Sequence, residues 1–600
     1  MEEHNKIPAP GAESPYSPVP APQCNSSYGI LGRSGLVLCV LALLLGGLGE
    51  LAAFCIIHWI YFVTNVFFYW KLSFTTAAPQ GNKLGIGLLF VPVIGGLLVG
   101  GLARYGSPMI RGHGLPEAMD STLFHEARIP LLGAVLKPIS IGISIGTGGA
   151  FGPEAIIPTG AAIGSLLGRL RYFTTHQRRV LLAAGAAAGM SATFGAPVAS
   201  VLLTIELLLF ELNPISLVVV GLASATAEIL HVIIDGPGPL FRLPPLPAPK
   251  LEALLSYAVV GLIAGLFSVL LTRWLYKVGE LFKAWGQRRR VHWMWWPGMA
   301  GVVVGICGLI DIRSMGIGFS NIDAMLSGEM AMQAAGILLV TRCVAWSISL
   351  GSGNSGTIIS PLFNIGAALG ILSGSLFATL FPHAGISIVT AALVGMAAIL
   401  AGATWAPMTA IVFAFETTLQ PNGLAPLVVG CAVAFLVSCA LMKDNMLTEK
   451  FLRRSGRVLL QPHADFLDRM LVRDACSRHI VCLRARQSVG EVQALVAEQG
   501  GTYVHHLFPV VDQQGGLLGV VSLHDILAAT TDLSRPIMEI TTRPPIVIHL
   551  YESLRDADNL MAREGIGHLV VVDADDPHLL LGILTRADIL AAHRRSRPEA

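Results

Sequence analysis

The sequence predicts an all-α polytopic membrane body built from an internal repeat, followed by a smaller soluble α/β tail. Three observations carry that expectation. Hydrophobic residues make up 53% of the chain and charged residues only 13%, against roughly 25% charged in a soluble domain. The stretch Ala196–Glu206, APVASVLLTIE, returns as Ala406–Glu416, APMTAIVFAFE, and GAAIG at Gly160–Gly164 returns in the same order as GAALG at Gly366–Gly370. After Arg454 the composition turns soluble, and two units with a common plan follow.

Residues 1–32 come first and read as a disordered tail. They are rich in Pro, Ser and Ala, and lack an apolar run with a small-residue cleavage site, so no signal peptide is expected. The body is assigned to residues 33–455, with repeat halves at about 33–235 and 251–455. Apolar segments begin near Gly35, Leu84, Leu131, Val180, Leu217, Leu254, Met299, Ala334, Pro361, Ile386 and Pro426. About 20 such residues cross the hydrocarbon core. A duplicated apolar body interrupted by Gly and Pro is the pattern of a transport protein whose pathway lies between its halves. Each copy of the repeat carries a lone carboxylate, Glu206 or Glu416. A carboxylate at bilayer depth costs about 2.5–3.5 kcal/mol on insertion scales, so two in matched register imply a shared structural role.

Charge and cysteine content exclude other classes. A net charge of +2 without a basic stripe gives no expectation of nucleic acid. The nine cysteines show no metal-ligand spacing, and most sit in apolar runs. No metal or required cofactor is expected. A helical His-Glu-x-x-His motif and paired catalytic carboxylates are absent, so no enzyme is expected. The basic clusters Arg288–Arg290 and Arg453–Arg454 place the soluble tail, and with it both termini, on the cytoplasmic side of a cell or inner membrane.

Three glycine-rich breaks interrupt the body: Gly112-His-Gly-Leu-Pro116, Gly146-Thr-Gly-Gly-Ala-Phe-Gly-Pro-Glu154 and Gly351-Ser-Gly-Asn-Ser-Gly-Thr-Ile-Ile-Ser-Pro361. Each precedes a segment that can be helical. A helix N-terminus offers unpaired N–H groups and partial positive charge, and glycine lets a ligand approach the backbone. Several such ends together make an anion site without a full cation, from which an ion can also leave. Close helix packing is the other use of glycine at such places.

These residues resemble the CLC family of chloride channels and chloride/proton antiporters, over nearly all of residues 33–455. Gly112-His113-Gly114-Leu115-Pro116 is similar to the family's Gly-Ser-Gly-Ile-Pro signature, with His113 at the serine. Thr357-Ile-Ile-Ser-Pro361 is similar to Gly-Ile-Phe-x-Pro, which implies anion contact at the amides of Ile358 and Ile359. Gly152-Pro153-Glu154 resembles Gly-Arg-Glu-Gly-Pro, whose glutamate is the gate. Matching Gly-Pro directly puts Phe151 on the gate; matching leftward from Gly160–Gly164 puts Glu154 there and is favoured. Leu207 stands where proton-coupled members often carry an internal glutamate. Leu447, in Met446-Leu-Thr-Glu-Lys450, stands where the family has an anion-coordinating tyrosine. Lys137 matches a family lysine within an apolar run, with a snorkelling lysine as the alternative.

The resemblance implies an inverted repeat, a homodimer in lipid with one pathway per subunit, and a transported chloride or other small anion. Leu207 and Leu447 favour a voltage- or pH-sensitive channel with weak or no proton coupling over a chloride/proton antiporter. A nucleotide-sensing receptor without transport is a third reading. A divalent-cation channel would need an acidic pore, and carboxylates in the body are few.

Residues 456–466 read as a linker. In the tail, Leu507–Asp512 and Leu518–Asp525 have counterparts in His568–Asp573 and Leu581–Asp588. β-branched runs bracket a turn, and a polar residue starts the closing helix. This resembles a tandem CBS pair, 467–532 and 533–594. The family's Thr/Ser-x-x-Asp step implies an adenine nucleotide (ATP, ADP or AMP) at Ser522 with Asp525 and at Thr585 with Asp588. Helix capping is the other use of such residues.

Overall fold

In lipid, a backbone can satisfy its polar groups only within itself, so the apolar runs fold as helices. The structure, a computed structural model, describes residues 33–448 and 467–595 except 113, 125–126, 128, 170–172, 174, 211–212, 468–469, 479, 499–506, 530–531, 542–543, 574–575 and 577. The expected N-terminal tail and linker lie outside the described residues. Contacts divide the chain into two units, one of them Ile30–Pro462 and the other containing His463–Ala600.

The first half of the body contains α1 (Arg33–Tyr69), α2 (Phe90–Tyr105), α3 (Leu115–Phe124), α4 (Leu131–Gly146), α5 (Ile156–Leu167), α6 (Thr175–Phe194), α7 (Pro197–Thr204) and α8 (Pro214–Asp235). The second half contains α9 (Leu251–Arg289), α10 (Trp296–Ile310), α11 (Phe319–Leu326), α12 (Met332–Gly351), α13 (Ile359–Leu380), α14 (Ile388–Thr404), α15 (Pro407–Thr418) and α16 (Leu424–Leu441). Eight described helices are long and apolar enough to cross a membrane, while α4, α5 and α14, and α7 with the π turn Ile205–Leu209 that follows it, are shorter apolar pieces. Of these, α4 and α5 flank the second glycine-rich break, and α7 begins at the first copy of the repeated Ala-Pro motif.

Packing repeats between the halves. α5 crosses α6 where a Cβ on Gly160 would stand 2.1 Å from the Gly185 carbonyl oxygen. α13 crosses α14 in the same way, with a Cβ on Gly366 falling 2.4 Å from the Gly395 carbonyl oxygen. Only glycine permits backbones that close, so the repeated GAAxG segment is a crossing point.

The repeated glutamates serve the opposite half. Glu416, in α15, accepts from the first-turn amides of α7, Val198 at 2.9 Å and Ala199 at 2.8 Å. Glu206, in the π turn after α7, accepts from the α15 amides of Met408 at 3.3 Å and Thr409 at 3.0 Å, and from the Thr409 hydroxyl at 2.6 Å. Each carboxylate meets amides that have no partner in their own helix. Their shared role is reciprocal capping across the two halves.

The tail holds two three-stranded sheets in the orders β1-β2-β3 and β4-β5-β6. These are Leu483–Arg484, Leu507–Val511 and Leu517–Ser522, then Val547–His549, His568–Val572 and Leu580–Thr585. In each, the first pair is parallel and the second antiparallel. The expected boundary at 532/533 is crossed by two exchanged arms. The Val472 amide bonds the Glu552 carbonyl, and Leu467 and Val472 pack into the core of the second unit. The Ile537 amide bonds the Gln487 carbonyl, and Ile537 packs into the core of the first.

Candidate anion site

The glycine-rich breaks meet one another. Gly112 and Gly114 take φ of +104° and +80°, a region that favours glycine and turns the chain into α3 at Leu115. Pro116 sits in the first turn of α3, where its missing N–H costs nothing. Gly112 bridges Ser355 of the third break, and its carbonyl accepts from the Gly356 amide at 3.3 Å. The second and third breaks are joined at Gly152, whose amide donates to the Thr357 hydroxyl at 2.8 Å. His113 lies outside the described residues.

Lys137 does not snorkel. It is buried, and its ammonium donates to the carbonyls of Met109 (3.3 Å), Ile110 (2.9 Å) and Gly112 (2.9 Å). It thereby holds the turn that contains the first break, and it brings positive charge to that turn.

Glu154 is buried at 3% exposure in the turn before α5. Its carboxylate caps not its own helix but α13. Oε1 accepts from the Ser360 amide at 2.7 Å, and Oε2 from the Ser360 hydroxyl at 2.7 Å. The carboxylate thus sits at the positive end of a 22-residue helix, bound by charge-assisted hydrogen bonds. Phe151 is fully buried and packs on Gly356, where an added Cβ would come within 2.2 Å of its ring. The carboxylate at the start of α13 is that of Glu154.

Gly152, Pro153 and Leu447, further candidate anion contacts by their motif positions, present no free amide. The Gly152 amide is taken by Thr357, and Pro153 has no N–H to offer. Leu447 is buried, and its amide donates to the Asn445 side-chain oxygen at 2.9 Å, so it presents no donor to an anion. Ile358 and Ile359, at the start of α13, remain suited, since first-turn amides lack partners within their own helix. The Trp346 indole fixes that start by donating to the Thr357 carbonyl at 3.0 Å.

Sequence reasoning missed three residues here. Ser360 stands inside the motif of the third break, but only the fold shows it binding Glu154. Tyr276 donates its hydroxyl to the Met446 carbonyl at 2.5 Å and so holds the segment that carries Leu447. Arg342 is fully buried on α12, donating to the carbonyls of Ser314 and Ile317, both at 3.0 Å. Among the described residues no carboxylate forms an ion pair with it, and Glu154 lies within its electrostatic reach.

Residues 95–439 match the family model described as voltage gated chloride channel. The chain belongs to the CLC family. Residues 472–532 and 537–595 match the CBS domain model, so this CLC protein carries a CBS pair. The H(+)/Cl(-) exchange transporter ClcA of Salmonella arizonae is 30% identical over 383 residues, covering 62% of this chain and 77% of that protein. A ClcB-like relative from Ralstonia nicotianae is 29% identical over 383 residues, 63% of this chain and 88% of the relative. Among solved structures, a slow cyanobacterial Cl-/H+ antiporter aligns with TM-score 0.60 at 24% identity, over 71% of this chain and 99% of that one. A eukaryotic CLC transporter aligns with TM-score 0.60 at 20% identity, over 92% and 98%. The two structures establish the shared fold. CLC-type anion transport by an integral multi-pass membrane protein follows from the family.

In the tail, the expected nucleotide residues close on one another. The Ser522 hydroxyl donates to Asp525 at 2.6 Å, and the Thr585 hydroxyl to Asp588 at 2.8 Å. Ser553 and Asp556, which are not at the expected ligand step, do the same at 2.9 Å. All three are capping arrangements at helix starts. The Ser522 hydroxyl holds the Asp525 carboxyl below the usual carboxylate range.

Proposed function

We propose that this CLC protein conducts chloride past Glu154, which acts as a tethered anion and leaves the path when protonated, with weak or no coupling to proton movement. The observation that carries this reading is the bidentate seat of Glu154 on Ser360 at the start of α13. A halide and a carboxylate compete for the same helix end. Neutralising the carboxylate removes the charge that the helix end attracts, so flux rises as pH falls.

Weak coupling is supported by Leu207, which is buried where a second proton-carrying carboxylate would stand. Proton-coupled exchange is the second reading, favoured by the exchanger names of the ClcA relatives. Proteoliposomes under an imposed chloride gradient separate the two. Passive conduction gives chloride flux without uphill proton movement; proton uptake against its gradient overturns it.

The functional unit of this reading is a homodimer in lipid with one pathway per subunit, and both termini face the cytoplasm. The basic end of α9, Arg288 and Arg289, supports that orientation. The CBS pair binds an adenine nucleotide, with Ser522, Asp525, Thr585 and Asp588 opening to receive it. Titration of the purified chain with ATP and AMP tests this, and no saturable binding of either overturns it.

A further inference from the structure

Away from the anion site, α1 and α8 enclose a polar cluster. Glu50, within α1, is 3% exposed, and its Oε2 has no hydrogen-bond partner. His231 and Asp235 stand one turn apart on α8. The His231 Nδ1 lies 3.9 Å from Glu50 Oε1 and 3.2 Å from Asp235 Oδ2, ion-pair contacts that do not reach hydrogen-bond geometry. One ligating atom from each of the three residues lies within 4.8 Å of the other two. Glu228 adjoins the cluster: an added Cβ on Gly195 would stand 3.6 Å from both its Oε1 and the His231 ring. It is held separately by the Ser191 hydroxyl at 3.4 Å. Among the described residues, no lysine or arginine pairs with any of these carboxylates.

We infer that Glu50, His231 and Asp235 bind a divalent transition-metal cation of the zinc class and so clamp α1 to α8. The cluster gathers carboxylates around one imidazole, and among the described residues no lysine or arginine offsets their charge. An imidazole with two carboxylates is a donor set for zinc-like ions, and it leaves a fourth position open. Calcium and magnesium demand six or more oxygens and are poorly served. At metal–ligand distances of about 2.0–2.2 Å, donors lie no more than about 4.4 Å apart. A small rotation of Asp235, the exposed member, closes the set. The clamp reaches the transport body through α8, whose Ser224 hydroxyl donates to the Pro197 carbonyl at the start of α7 at 2.9 Å.

The test titrates the purified full-length chain in detergent with Co2+ and follows its visible absorption and thermal melting. The expected result is saturable binding of one cobalt per chain, reversed by Zn2+ but not by Mg2+. Glu50→Gln, His231→Ala and Asp235→Asn should each weaken it at least tenfold, while Glu228→Gln leaves it unchanged. If His231→Ala or Glu50→Gln fails to fold, Asp235→Asn at the exposed position decides between the outcomes by itself. Binding that survives in Asp235→Asn places the metal elsewhere and overturns the assignment. So does a wild-type chain that takes up no cobalt and whose melting ignores Zn2+, the behaviour of a protonated His231 simply paired with its carboxylates.

Discussion

Counted back from the shared GAAxG segment, Glu154 in the first half and Ser360 in the second occupy the same place, each six residues before the first glycine. The two residues meet and bond to one another. Elsewhere the halves match: α5 crosses α6 as α13 crosses α14, and Glu206 and Glu416 exchange caps. At this place a carboxylate faces the hydroxyl of its own counterpart in the repeat. The repeat thus builds a nearly symmetric cradle of helix ends, and one acidic side chain makes its two sides inequivalent.

Removing that inequivalence should have the largest effect. Wild-type chloride flux into liposomes should rise between about pH 7 and 4.5, and Glu154→Gln should be fast and flat over the same range. Charge-assisted hydrogen bonds contribute about 1.5–3 kcal/mol each, which corresponds to tenfold or more in gate occupancy. An unchanged pH response in the variant breaks the assignment of the gate.

The reciprocal caps should behave alike. Glu206→Gln and Glu416→Gln should each lose about 1–3 kcal/mol of stability, since a carboxylate acceptor at two helix amides becomes a weaker neutral one, with Glu206→Gln at the upper end because Glu206 also holds the Thr409 hydroxyl. Thermal melting in detergent measures this, and the pH response of flux should persist in both. A large difference between them would show that the halves are not mechanically equivalent. An effect on the gate smaller than that of Glu154→Gln is expected from Ser360→Ala, which keeps the amide but removes one charge-assisted contact worth about 1.5–3 kcal/mol. Flux at neutral pH should rise about tenfold.

The smallest effects belong to the tail. Ser522→Ala and Thr585→Ala should each cost about 1 kcal/mol as helix caps. Because Asp525 is held below the ordinary carboxylate range, its contribution is present above the unfolded value of about 3.9 and is lost as pH falls through the lower folded value. Denaturant melts of the full chain at pH 7 and below 4, with Ser522→Ala beside wild type, check the sign. The difference should shrink in acid.

Much of the architecture was legible because periodic apolar runs, Gly-Pro breaks and repeated peptides are local signals. The CBS plan was legible for the same reason, and Glu154 was reachable through the GAAxG echo. What stayed hidden were pairings between distant residues. Nothing near Glu206 in sequence points to Thr409, nor near Glu154 to Ser360. Lys137 reads in sequence either as a charge beside the pathway or as a snorkelling lysine, and nothing nearby shows the three carbonyls that the fold wraps around it. Gly152 and Leu447 carried the right motif positions, but their amides were already committed to Thr357 and Asn445. The exchanged arms of the tail escaped because sequence order suggests two self-contained units, whereas Val472 and Ile537 each complete the other's core.

The exchange of caps between α7 and α15 bears on how the chain is made. While the first half emerges from the ribosome, the amides of Val198 and Ala199 await an acceptor that is synthesised only with Glu416. Until then the start of α7 lies open in lipid or must borrow water. The early half therefore has reason to stay near the insertion machinery until its late counterpart arrives, and a truncation short of Glu416 leaves that helix end unsatisfied.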